Sequence, residues 1–135
     1  MSDSQAPHYF NPATLAPPPG YTQVVRTAGG STVYISGQVA LDAKGNLVGR
    51  GDLRAQAQQV FTNLELALDA TGGSLTNIVK LNTFLVDIGG LGVFREVRDS
   101  FIGLGPQTPA SSLVGVATLA GPDYLIEVEA VAWLP

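Results

Sequence analysis

The chain has 135 residues, a length that fits one domain able to bury a core without metal or disulfide support. It has no cysteine and a single histidine, His8, which argues against a cysteine-based zinc site, a thiolate nucleophile or a Ser-His-Asp triad and agrees with a reducing compartment. Seven basic and 11 acidic residues give a net charge of -4 without any basic run, which argues against nucleic acid as the main partner.

Hydrophobic residues make up 45% of the chain and charged residues only 13%. A domain this small exposes much of its surface, so we expect part of its apolar surface to be buried between subunits. The apolar stretches are of strand length, and residues 1–4 lack the basic start and apolar run of a signal peptide. We therefore expect a soluble cytoplasmic protein without a membrane partner.

Residues 1–20 are rich in proline and predict an extended N-terminal arm, so the domain itself is expected to span residues 21–135. The arm packs either on its own domain or on a neighbour. Residues 24–27 and 32–41 flank the turn sequence Ala28-Gly29-Gly30-Ser31, which predicts a β-hairpin. Alternation places four residues on one face of its second strand: Val33, Ile35, Gly37 and Val39.

Asp52 is predicted to cap the first helix, whose apolar residues recur at helical spacing until the Thr-Gly-Gly sequence at residues 71–73 ends it. The remaining predicted elements are a strand at residues 78–87, a second helix at residues 92–103, and strands at residues 110–117 and 124–133. The order ββαβαββ predicts an α+β domain in which both helices cover one face of a mainly antiparallel or mixed sheet.

Two acidic residues, Glu127 and Glu129, share one side of the last predicted strand. The other side is apolar and consists of Ile126, Val128, Ala130 and Ala132. Because an ionised carboxylate is costly to desolvate, the acidic side must meet water, a counter-charge, polar groups of a partner subunit or a cleft. We expect it on the sheet face without helices, where self-association into a closed ring would form clefts between subunits.

Several short segments, in this order and spacing, resemble the RidA/YjgF family from about residue 20 to the end of the chain. These segments are Gly20-Tyr21, Ile35-Ser36-Gly37-Gln38, Ala55-Gln56-Ala57 with Asn63-Leu64, Ile78-Val79-Lys80, Pro109-Ala110 and Ile126-Glu127-Val128-Glu129-Ala130. The resemblance implies a chorismate-mutase-like homotrimer, in which three sheets line a central barrel and clefts lie between subunits. It also implies hydrolysis of a small metabolite, an enamine or imine, to a 2-oxo acid and ammonia without a metal or organic cofactor.

By this resemblance, Glu127 orients the attacking water and is the first catalytic candidate. Tyr21 and Ser36 match positions that line the cleft; otherwise they are an ordinary strand-edge tyrosine and a buried serine bonded to backbone. The family arginine that follows Pro-Ala and grips a substrate carboxylate is Ser111 here, so the two-pronged cationic grip is lost. Glu129 either accepts structural hydrogen bonds, forms an ion pair between subunits, or shares the cleft and raises one pKa of the acid pair.

The second predicted helix directs its charged residues mostly outward: Arg95, Glu96, Arg98 and Asp99. Arg95 lies near a cleft position of the family and either recruits an anionic or extended substrate there or is a solvated arginine paired with Asp99. The predicted function is a cofactor-free hydrolase of an imine, enamine or related conjugated amine other than 2-aminoacrylate. The alternatives are a non-catalytic trimer that binds a metabolite or another protein, and a ribonuclease, which the net acidity argues against.

Overall fold

Four strands form the main sheet in a computed structural model, which describes residues 6–135, in the order β3-β6-β4-β5. The elements are β1 His8–Phe10, β2 Val24–Arg26, β3 Ser31–Gln38, α1 Leu53–Asp69, β4 Ile78–Leu85, α2 Leu91–Ile102, β5 Ala110–Gly115 and β6 Ile126–Leu134. Strand β6 is antiparallel to both of its neighbours, and β5 is parallel to β4. The sheet is therefore mixed, as predicted, and both helices pack on one face of it.

The predicted hairpin between residues 24–27 and 32–41 is wrong. Strand β2 pairs with β1 of the N-terminal arm instead, and β3 pairs with β6. Gly29 and Gly30 have φ angles of +63° and +61°, and the carbonyl oxygen of Gly29 accepts a hydrogen bond of 2.8 Å from Nε1 of Trp133. This hydrogen bond attaches the turn to the end of β6, so β3 begins beside β6. Strand β2 lies before the turn and pairs with the arm instead.

Helix α1 begins where the sequence predicts, because the carboxylate of Asp52 accepts a hydrogen bond of 3.1 Å from the backbone nitrogen of Ala55. One turn on, Gln56 is fully buried. Its amide group donates to the carbonyl oxygens of Gly49 and Asp123, both at 3.0 Å, and accepts from the backbone nitrogen of Leu125 at 2.9 Å. A single glutamine therefore joins the start of α1 to the loop before β6.

The hydrophobic core lies between the two helices and one face of the sheet. Its fully buried side chains include Val60, Phe61, Leu64, Leu68, Leu81, Leu85, Ile126, Val128 and Ala132. No helix within residues 6–135 covers the opposite face, called here the open face, where Tyr34 is 79% exposed. Burial of one face only explains the alternating pattern along β6, in which apolar and acidic residues take opposite sides.

A β-bulge interrupts β3 between Ile35 and Gln38, where the pairing with β6 changes register. An extra residue on one strand shifts the following side chains relative to strict alternation. Gly37 consequently faces the open side, since a Cβ atom built on it would meet the carboxylate of Glu127. The predicted placement of Gly37 beside Val33 and Ile35 is wrong for this reason.

Candidate functional site

The acid pair of β6 lies half-buried on the open face, as alternation predicts. Glu127 stands opposite Phe84 of β4, and its side chain passes directly over the bulge at Gly37. Glu129 stands opposite Asn82, whose side-chain nitrogen donates to Oε1 of Glu129 at 3.2 Å. One acid of the pair is therefore held by a neighbouring amide, whereas among the described residues no side chain donates a hydrogen bond to Glu127.

Ser36 also lies on the open face, where it lines a shallow cavity of about 360 Å³ together with Tyr34, Asn82 and Glu129. It is exposed rather than buried. Near the sheet edge, Nζ of Lys80 donates to Oγ of Ser112 at 3.0 Å. The open face thus carries a short row of polar groups beside exposed apolar side chains, an arrangement that suits a partly wet contact between subunits.

A second cavity, of about 300 Å³, opens on the helix side of the sheet between α2 and β5. This α2/β5 cavity is lined by Tyr21, Ile88, Leu91, Phe94, Arg95, Arg98, Ser111 and Leu113. Ser111 faces it because it pairs with the fully buried Leu81, whereas the next residue along β5 faces the open side. Three of the predicted site residues, Tyr21, Arg95 and Ser111, therefore lie together.

The segment around Thr22 brings Tyr21 to this cavity. The backbone nitrogen of Thr22 donates to the carbonyl oxygen of Pro109 at 3.0 Å, and Thr22 forms an isolated parallel bridge with Ala110. The hydroxyl groups of Thr22 and Thr108 are both buried and lie 3.0 Å apart. This attachment covers the outer edge of β5 and fixes the residue before it, Tyr21, beside Ser111.

Arg98 is the cavity residue that the sequence interpretation missed, since it was expected to point outward. Only 7% of the residue is exposed, and its guanidinium lies 5.9 Å from the centre of the Phe94 ring. Nε of Arg98 donates to Oδ1 of Asp99 at 2.9 Å, so Asp99 pairs with Arg98 and not with Arg95, and the alternative in which Arg95 is paired with Asp99 is wrong. The helical spacing from Leu91 through Phe94 to Arg98 is the signal that could have identified its inward direction.

The predicted site is divided between two sheet faces within a single chain. Glu127 and Ser36 lie on the open face, whereas Tyr21, Arg95 and Ser111 line the α2/β5 cavity on the helix side. A strand places successive side chains on opposite faces, so this division follows from the register of β5 against β4. Neither of these two cavities is lined by residues of both sets.

Comparison with known proteins identifies the family. The family model described as Endoribonuclease L-PSP matches residues 12–134. A 2-iminobutanoate/2-iminopropanoate deaminase from Dermatophagoides farinae is 34% identical over 119 residues, which cover 87% of this chain and 89% of that relative. The chain belongs to the RidA/YjgF family.

Solved structures of this RidA/YjgF family confirm the α+β fold. The Rid-family protein YyfB from Yersinia pestis, described as a protein of unknown function, has a TM-score of 0.85 and 38% identity, covering 95% of this chain and 98% of that protein. RidA from the Antarctic bacterium Psychrobacter sp. PAMC 21119 has a TM-score of 0.69 and 34% identity, covering 99% of this chain and 98% of that one. The likeness therefore extends over nearly the whole chain.

No three histidine, cysteine, aspartate or glutamate side chains within residues 6–135 cluster as ligands for a metal ion. In the same part of this RidA/YjgF chain, no helix has the length and hydropathy that a membrane span requires.

Proposed function

We propose that this chain is a cofactor-free hydrolase that converts a small imine or enamine to the corresponding carbonyl compound and ammonia, in clefts between the subunits of a homotrimer. The observation that carries the proposal is the position of Glu127 on the open face, half-buried over a glycine and without a hydrogen-bond donor among the described side chains. A carboxylate with free acceptor capacity in a partly dry site is suited to accept a proton from water.

The reaction needs only water and proton transfers. Glu127 accepts a proton from a water molecule, whose oxygen attacks the electrophilic carbon of the C=N bond. Protonated Glu127 returns its proton to the nitrogen, which gives a tetrahedral intermediate with one hydroxyl and one amino group. A second proton then passes from the hydroxyl group to the amino group, and ammonia leaves as the C–O bond becomes a carbonyl. One imine and one water therefore yield one carbonyl compound and one ammonia. An enamine first gains a proton on carbon and loses one from nitrogen to form the imine.

The trimer is supported by what the open face carries. Tyr34 is 79% exposed and Val114 47% exposed on this face, and no helix in the described part of the chain covers it. Contact between copies would bury these apolar side chains and leave the acid pair in crevices at the edges of the contact. The low charged fraction of 13% supports the same assembly. Sedimentation equilibrium should give three times the chain mass of 14.0 kDa, and a monomer would contradict the proposal.

The substrate is proposed to differ from 2-aminoacrylate, because Ser111 supplies a hydroxyl group where a fixed cation would grip a carboxylate beside the reacting carbon. The relative named 2-iminobutanoate/2-iminopropanoate deaminase supports the chemistry at the level of imine hydrolysis. The substrates to test are therefore a panel of imines generated in place, both uncharged and carboxylate-bearing, with ammonia release as the measurement.

The decisive variant is Glu127→Gln, which keeps the shape of the side chain and removes its basicity. We expect kcat/KM for the best imine to fall by about a hundredfold or more, the usual contribution of a general base. Glu129→Gln is the matched control on the same strand face, and we expect a smaller fall because its amide oxygen still accepts the hydrogen bond from Asn82. Equal rates for Glu127→Gln and the parent protein would remove Glu127 from the mechanism.

A second candidate function rests on the same substitution at Ser111. Without a cation on β5, the trimer would bind a metabolite or another protein without turnover. Thermal stabilisation by a metabolite, combined with no ammonia release from any imine of the panel, would favour this function. The matching family model is described as Endoribonuclease L-PSP, but a net charge of -4 and the absence of a basic run oppose binding of the RNA backbone.

A further inference from the structure

We infer that the α2/β5 cavity binds the carboxylate group of a small organic acid, with the guanidinium of Arg98 as its main ligand. This inference deepens the proposed function by assigning the cavity to an anionic substrate or product, and it rests on that function only for its kinetic consequence. The binding itself does not depend on catalysis. The cation lies on helix α2 and not on β5, where Ser111 stands, so a carboxylate bound by it is oriented differently from one bound on β5, and the proposed exclusion of 2-aminoacrylate stands.

Arg98 is buried and lines the cavity. Arginine is almost never this inaccessible unless its charge is compensated, and only 7% of this residue is exposed. Its ion pair uses Nε alone, since the only hydrogen bond of its side chain among residues 6–135 goes from Nε to Oδ1 of Asp99. The two terminal nitrogens, Nη1 and Nη2, therefore donate no hydrogen bond within these residues, and Arg98 is one of the residues that line the cavity.

The guanidinium is also held in place. Phe94 lies under it with a ring-centre distance of 5.9 Å, and Gly20 closes over its other end. A Cβ atom on Gly20 would lie 2.5 Å from Nη2 of Arg98, so only glycine leaves room for the guanidinium there. A donor fork that is fixed before the ligand arrives binds two carboxylate oxygens with little loss of side-chain freedom.

The rest of the cavity selects the kind of anion. Arg95 adds a second cation to the wall and forms no ion pair within the described residues, and the hydroxyl groups of Tyr21 and Ser111 are available as hydrogen-bond donors. Four apolar side chains line the remainder: Ile88, Leu91, Phe94 and Leu113. A cavity of about 300 Å³ with cations at one part and apolar groups at another suits a short carbon chain ending in a carboxylate better than inorganic phosphate.

The test is isothermal titration calorimetry of the full chain with sodium 2-oxobutanoate, with inorganic phosphate and uncharged 2-butanone as comparison probes. We expect 2-oxobutanoate to bind more tightly than both. Arg98→Met should weaken its binding by about tenfold to a hundredfold, because a hydrogen-bonded charge pair is lost. Arg98→Lys should also weaken it, since lysine keeps the charge without the fork. Arg50→Met is the matched control, because Arg50 is exposed, pairs with Asp123 and does not line the cavity, and it should leave the affinity unchanged.

A variant that binds more tightly complements those that bind less tightly, because poor folding can explain a loss of affinity but not a gain. Asp99→Asn keeps the shape of the residue but removes the negative charge that competes for Arg98, so 2-oxobutanoate should bind roughly threefold to tenfold more tightly. The inference is overturned if the parent protein does not bind 2-oxobutanoate, or if neither Arg98→Met nor Asp99→Asn changes the affinity. Tighter binding of phosphate than of 2-oxobutanoate would also overturn it.

Kinetics separate this inference from the proposed function. If Arg98 binds the carboxylate of the substrate, Arg98→Lys raises KM for a carboxylate-bearing imine and leaves KM for an uncharged imine unchanged. If turnover depends on Glu127 but the affinity for 2-oxobutanoate does not depend on Arg98, the proposed function is supported and the anion site is refuted. Arg98-dependent binding of 2-oxobutanoate without turnover of any imine would sustain the anion site and refute the hydrolase.

Discussion

Adding one methyl group at Gly37 should separate the activity of this protein from its stability. A Cβ atom there would lie 2.8 Å from Cδ of Glu127 and 3.0 Å from its Cγ, whereas ordinary van der Waals contact begins at 3.4 Å. The carboxylate must therefore move by more than half an ångström. Because the backbone of Gly37 does not have a positive φ angle, alanine fits the chain itself, and the end of a flexible side chain yields at little cost.

We expect Gly37→Ala to lower kcat/KM for imine hydrolysis by about tenfold to a hundredfold, since a misplacement approaching 1 Å at a reacting group has an effect of this order. That fall corresponds to about 1.4–2.7 kcal/mol of transition-state stabilisation. The free energy of unfolding should change by less than about 1 kcal/mol, because restricting the unfolded chain offsets the displaced contact.

The assay combines ammonia release with urea denaturation on the same preparations. Gly115→Ala is the matched control, since Gly115 also lies in a strand and a Cβ atom there would meet its nearest neighbour, Cβ of Ile88, at an unstrained 3.7 Å. It should leave both quantities unchanged. If Gly37→Ala keeps the parent kcat/KM, the position of Glu127 over the bulge does not control the reaction and the reasoning fails.

Two further predictions concern stability. Gln56→Met should lower the free energy of unfolding by about 3 kcal/mol or more in urea denaturation, because three backbone groups lose their hydrogen-bond partner. Gln58→Met, on the exposed side of the same helix, should change it by less than about 0.5 kcal/mol. Equal effects of the two variants would show that the buried hydrogen bonds are not the cause. Burial raises the pKa of the Tyr9 phenol above its ordinary 10.0, so its favourable contribution to folding is complete below pH 10 and is lost as the pH rises through the higher folded value. Ultraviolet titration of the parent protein and of Tyr9→Phe should reveal one late-ionising phenol that the variant lacks, and ionisation of every tyrosine at the ordinary value would contradict this.

Much of the fold could be predicted from local patterns. The cap at Asp52, the helical spacing of apolar residues and the alternation around Glu127 depend on neighbours a few positions away, so sequence alone carries them. The hairpin predicted for residues 24–27 and 32–41 is wrong because its strand pairing depends on residues distant in sequence. Their glycine turn is compatible with a hairpin, but pairing with the arm and with β6 involves residues far along the chain, which no local pattern specifies.

The candidate site was predicted only in part. Tyr21, Arg95 and Ser111 do share a cavity, and the acid pair does share a strand face, but the two groups lie on opposite sides of the sheet in one chain. Arg98 was assigned to the solvent because charged residues on a helix usually are exposed. Its burial depends on Gly20 lying over the guanidinium, a contact between segments nearly 80 residues apart.

The sequence by itself determined the fold class, the resemblance to the RidA/YjgF family, the absence of cysteine chemistry and the side of β6 on which Glu127 and Glu129 lie. Each of these follows from composition, from short motifs or from the periodicity of apolar residues, which do not depend on how distant segments pack. Tertiary structure alone decided that the bulge brings Gly37 under Glu127 and that Arg98 faces a cavity rather than water. Both depend on which distant segments pack together, and the free energy of burying a group is set by all of its neighbours in space rather than by those beside it in sequence.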